Sequence, residues 1–134
     1  MKTEFVNAAY YTGFEGEPEI AFVYEMTNER QVLKLWTGYF DTIMDLMCQY
    51  ESYKNGILHE YYVHEGWYEE SPWEVTQLDA TIQLFKSFHL QSVDVKAAEA
   101  SPNIVPVLPD VAREIIQFLE QARINGSTVY IVYD

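Results

Sequence analysis

The sequence predicts a single α+β domain over residues 1–134, built as an antiparallel sheet with about three helices. Runs of β-forming residues and stretches of helical periodicity are partly segregated, with no regular strand–helix–strand repeat, which favours α+β over a doubly wound parallel fold. At 134 residues the chain has the usual size of one domain, and 49% of it is hydrophobic, enough for one core. No internal repeat, low-complexity tract or interdomain linker divides it.

Residues 4–12 read as extended, and the turn-rich stretch 13–18 ends that segment. Residues 20–25 and 32–36 are rich in β-formers and flank a short polar connection at 27–30, so the opening third reads as an antiparallel meander. After Gly38, Phe40, Ile43, Met44, Met47 and Tyr50 recur at spacings of three and four, which predicts a helix near 39–53 closed by Lys54-Asn55-Gly56. Residues 57–64 lean towards a strand. Ser71-Pro72-Trp73-Glu74 has the chemistry of a helix start, with a capping serine, a proline at the first position and a glutamate three residues after the cap. The predicted helix runs over 72–88, with Val75, Leu78, Ile82 and Phe85 on its apolar face. Residues 90–109 are irregular, with one short strand near 93–97 and prolines at 102, 106 and 109. A last helix is expected over 110–124, stopping at Asn125-Gly126, followed by a strand over 127–133. The predicted core includes Leu78, Ile82, Phe85, Ile115, Leu119, Val129 and Ile131.

Charge is the strongest functional constraint. Eight Lys and Arg stand against 21 Asp and Glu, a net charge of −13. A field of that sign repels phosphate backbones and anionic lipid, so neither nucleic acid nor a membrane surface is an expected direct partner. A basic protein would be attracted and its encounter accelerated. The single cysteine, Cys48, excludes an intrachain disulfide, and its neighbours Asp45 and Glu51 oppose thiolate formation. No long apolar run suits a signal peptide or a membrane span, so a cytoplasmic location is expected.

Catalytic signatures are lacking. His59 and His64 resemble a zinc-protease pair, but their spacing is five where a helix needs four, and on a strand an odd spacing sends the rings to opposite faces. No metal site and no cofactor is expected. No Gly-x-Ser-x-Gly elbow, phosphate-binding loop or calcium loop occurs. The chain is therefore not expected to be an enzyme.

The informative segment is 59–79. Glu60, Glu65, Glu69, Glu70 and Glu74 interleave with Tyr61, Tyr62, Trp67, Tyr68 and Trp73, and Asp79 extends the acidic run. No basic residue falls between Lys54 and Lys86, so this stretch carries a charge of −6. Aromatic rings bring contact area at little entropy cost, and carboxylates pair with Lys and Arg across an interface. The candidate partner-binding residues are Glu60, Tyr61, Glu65, Trp67, Tyr68, Glu69, Glu70, Glu74 and Asp79. The competing reading makes Trp67 and Trp73 core anchors with solvated glutamates around them. In size, charge and aromatic content the chain resembles bacterial immunity proteins, which neutralise nuclease toxins. That resemblance is compositional and covers no motif, so it carries over no functional residue. It implies an acidic inhibitor whose partner is a basic toxin or another nucleic-acid-binding protein. The alternatives are a small-ligand-binding protein or enzyme subunit with a pocket built from distant residues, and a homo-oligomer paired through the apolar final strand.

Overall fold

A computed structural model describes residues 3–50, 57, 72–75, 77–87 and 103–133. Their elements run β1 (Thr3–Tyr10), β2 (Glu19–Glu25), β3 (Glu29–Trp36), α1 (Thr37–Tyr50), β4 (Trp73–Glu74), α2 (Leu78–Lys86), a 3-10 turn (Val105–Val107), α3 (Leu108–Ile124) and β5 (Tyr130–Tyr133). The fold is α+β, and its five described strands lie in the order β1-β3-β2-β5-β4.

The β2–β3 hairpin is antiparallel, pairing Phe22 with Leu33 and Val23 with Val32. The sheet as a whole is mixed, which corrects the antiparallel meander. β1 does not pair with β2. It lies on the far side of β3 and runs parallel to it, Val6 opposite Val32. The cause is the connection over residues 11–18, which starts beside Leu35 and ends beside Trp36 and so crosses the end of β3. Gly13 (φ 100°) and Gly16 (φ 93°) supply left-handed backbone in this crossing that other residues adopt at a cost. Its far end is held where the Thr37 backbone N–H and hydroxyl both donate to the Pro18 carbonyl. Phe14 then stacks on Trp36 with ring centroids 4.1 Å apart, and Tyr39 meets both rings edge-on.

The helices cover one face of the sheet. Ile20, Phe22 and Tyr24 of β2, with Leu33 and Leu35 of β3, alternate towards them and are buried. Phe22 meets Phe40 of α1 at 5.5 Å, and Tyr24 meets Phe118 of α3 at 5.0 Å. The predicted core residues Ile82, Phe85, Ile115, Leu119, Val129 and Ile131 are all buried there, and Leu78 packs at the margin. α1 and α3 follow their predicted periodicity, with α3 opening at Leu108 so that Pro109 falls in the first turn, where a proline suits a helix. No described helix is long and apolar enough to cross a membrane.

Three further expectations are corrected. The helix predicted over 72–88 does not start at Pro72: Trp73 and Glu74 form β4, paired with Ile131 and Tyr130 of β5. Val75 continues the contact, donating its N–H to the Val129 carbonyl, and is buried. Sheet hydrogen bonds and a buried valine outweigh a local cap of about 1 kcal/mol. α2 begins only after Gln77, whose left-handed backbone (φ 51°) turns the chain out of the sheet. Ile57 is helical rather than extended. It is fully buried, and its N–H donates to the buried Thr81 hydroxyl of α2 at 3.0 Å. The rest of 57–64 and the short strand near 93–97 lie outside the described residues. Finally, β5 is no edge. It pairs with β2 on one side and β4 on the other, because β4 takes the position that the sequence leaves open.

Gly38, the second residue of α1, sits under the folded-over Trp36, and an added Cβ would land against the six-membered ring. The stack on Phe14 restrains that ring. Gly38→Ala is therefore expected to lower stability by about 1–3 kcal/mol in urea denaturation, although alanine is the better helix former by about 1 kcal/mol.

Candidate functional site

Of the nine candidate binding residues, Glu60, Tyr61, Glu65, Trp67, Tyr68, Glu69 and Glu70 lie outside the described residues. Glu74 and Asp79 are described, and both are exposed. Glu74 stands opposite Tyr130, an exposed tyrosine of β5, so the sheet does place a carboxylate beside an accessible aromatic ring. Pro72 and Tyr130 border a groove of about 380 Å³ on the face of the sheet turned away from the helices, floored by Val23 and Val132. Asp79 is engaged elsewhere: its carboxylate accepts from Arg123 of α3 at 3.0 Å. It ties α2 to α3, and as an exposed pair contributes at most about 1 kcal/mol. Glu74 and Asp79 thus belong to two different settings, the sheet and the helix layer.

The described cations share one pattern. Arg30 lies between Glu4 (3.4 Å) and Glu25 (3.9 Å), and Lys34 meets Glu19 at 3.0 Å. Lys86 meets Glu120 at 3.2 Å, Arg113 meets Asp110 at 3.0 Å, and Arg123 bridges Asp79 and Glu120. Each is matched by at least one carboxylate, and together they form no basic patch among the described residues. The carboxylates of Glu15, Glu17 and Glu74 are exposed.

A second groove, of about 500 Å³, which no local sequence pattern announces, lies between β1 and α3. Phe5, Tyr24, Leu33 and Phe118 make it apolar, and Glu4 and Glu114 stand at its rim. Asn7 Nδ2 donates to Glu114 Oε2 at 3.1 Å across the groove, joining the edge strand to the helix. This groove arises from β1 pairing beyond β3, a long-range choice with no local signal. Nearby, burial raises the Tyr10 phenol above its ordinary pKa, and the carboxylates of Asp110 and Glu114 add to that.

Asp41 is the other residue that sequence reading passed over. It lies on α1 beside the apolar stripe, and its Oδ1 is buried without a hydrogen-bond partner among the described residues. Burial, and then the charge of Asp45 one turn on, push its pKa up to about 6. Among the described residues no three His, Cys, Asp or Glu side chains gather as metal ligands. Comparison with protein-family models, curated proteins and solved structures finds no match.

The Asp41 shift carries a sign. Its folded value lies above the ordinary 3.8, so the folded chain holds the extra proton between about pH 4 and pH 6. Stability contributed by this group is present below that window and is lost as pH rises through it. Asp41→Asn is expected to stabilise the chain by about 1–2 kcal/mol at pH 8, allowing for solvent screening, and to change little at pH 4. Urea denaturation at the two pH values measures the difference.

Proposed function

We propose that the chain is a cytoplasmic, non-catalytic binding module. It acts as an immunity- or antitoxin-like inhibitor that neutralises a basic, nuclease-type toxin by occupying its substrate surface. The observation that carries this reading is the charge arrangement. A net −13 is offset by no described basic patch, because every described cation is already held by a carboxylate. A surface that binds polyanionic nucleic acid is complementary to such a field, and long-range attraction accelerates the encounter. Glu74, the described carboxylate of that segment on the sheet, stands opposite the exposed Tyr130 of β5, an acidic and aromatic pairing that supports the reading. The grooves are open surface features, which suits a protein partner more than an enclosed small ligand.

A partner isolated from the native host by affinity capture is expected to be a basic nuclease, with its activity abolished by the added chain. Association should slow by about tenfold or more between low and high salt, with a smaller change in dissociation. A Glu69→Lys, Glu70→Lys double variant that keeps the parental circular dichroism and melting curve should bind more weakly. Tight binding by that variant at low salt would exclude residues 60–79 as the contact face. Salt-independent association would contradict electrostatic recognition.

A further inference from the structure

The outer edge of β1 carries an observation that the acidic segment does not explain. β1 is eight residues long, is the outermost of the described strands, and is exposed at every residue from 3 to 7. Phe5 and Val6 each retain 47% of their accessible surface, an unusual exposure for adjacent apolar residues on a sheet edge. Such edges template further strands unless they are short, bulged or charged. Here the ladder is regular from Thr3 to Asn7 and shifts register only beyond it.

The groove described above adjoins this strand on the helix-facing side of the sheet, with Tyr24 and Leu33 on its inner side, so side chains of a strand added at the edge would reach over Phe5 towards it. Its β1 wall is residues 4–7, about 10 Å of extended chain. Its helical wall is Glu114, Gln117, Phe118 and Gln121, whose spacing marks one face of α3 over about 10 Å. The two walls match in length, so the opening is a channel beside a strand rather than a round pocket.

We infer that this edge and channel receive an extended segment of the basic partner, added to the sheet as a sixth strand next to β1. The inference rests on the proposed function and locates a contact for it. Main-chain hydrogen bonds to the open edge would give affinity, and alternating side chains would give selectivity. On the helix side the segment meets Phe5 and then the Asn7–Glu114 pair, which calls for an apolar residue followed by Lys or Arg. On the opposite side it meets Glu4 and then Val6, which calls for Lys or Arg followed by a β-branched residue. Glu114 has no salt-bridging cation among the described residues, and Glu4 shares Arg30 with Glu25. Charge decides between occupants: a second copy would bring another −13 to the same edge, whereas a basic strand lowers the repulsion.

The test uses the isotope-labelled full chain and an acetylated, amidated octapeptide, Lys-Phe-Val-Lys-Lys-Phe-Val-Lys. A control peptide has glutamate in place of every lysine. The expected result is slowed exchange and shifted resonances for the amides of residues 3–7 with the first peptide alone. Affinity should fall about tenfold or more in Glu114→Lys and in Phe5→Glu. It should fall less in Glu17→Lys, which makes the same charge change as Glu114→Lys in the crossing turn. Spectral dispersion confirms folding, and Phe5→Glu tests the edge independently of α3. No binding at about millimolar peptide, or equal losses in Glu114→Lys and Glu17→Lys, would overturn the inference. So would concentration-dependent protection of β1 without peptide, which would mark self-pairing. A natural basic partner that binds Phe5→Glu and Glu114→Lys normally but loses the Glu69→Lys, Glu70→Lys variant would overturn this site and leave the proposed function standing. A chain with no basic partner would remove both.

Discussion

The crossing of residues 11–18 over the end of β3 determines where everything else can go. It is clamped by the Phe14–Trp36 stack, by Tyr39 against both rings, and by Thr37 donating to Pro18. With the crossing in place, β3 lies between β1 and β2, and β1 must run parallel to β3. β2 becomes free to pair with β5 on its other side, which makes Phe22 and Tyr24 the centre of the helix-facing core. The same clamp forms the junction into α1, because Trp36 ends β3 and Thr37 opens the helix. One aromatic cluster therefore couples strand order, helix placement and the exposure of β1.

Electrostatics contributes little to holding this fold, and under the proposed function its part lies in how the chain meets a partner. The ion pairs are largely exposed, and such pairs stabilise by about 0–1 kcal/mol each. Self-repulsion at −13 opposes the compact state, and Asp41 adds a partly buried carboxylate without a described hydrogen-bond partner at Oδ1. The core bears the stability, through Phe22, Phe40, Phe85, Leu33, Ile115 and their neighbours, all essentially inaccessible.

What was legible in the sequence follows the range of the interactions involved. The stripe Phe40–Ile43–Met44–Met47, the alternation in β2 and β3, and the apolar face of α3 are local patterns, and the structure keeps them. The partner of β1 depends on residues about 26 positions away in register, Val6 on Val32, and no periodicity encodes that. Ser71-Pro72-Trp73-Glu74 carries a sound local signal that is overridden by pairing with β5, more than fifty residues later. Of the candidate site, Glu74 and Asp79 fell in two separate settings, and the β1–α3 groove was invisible because Phe5 and Glu114 meet only through the tertiary fold.

The central claim is that β1 is an outer strand parallel to β3. Nuclear Overhauser contacts between backbone protons of the two strands, read together with amide exchange, test it most directly. The account predicts parallel-register contacts around Val6 and Val32, slow exchange through β2 and β3, and fast exchange for the β1 amides that point away from β3. Antiparallel contacts between β1 and β2, or uniform protection of β1 in the isolated monomer, would contradict it.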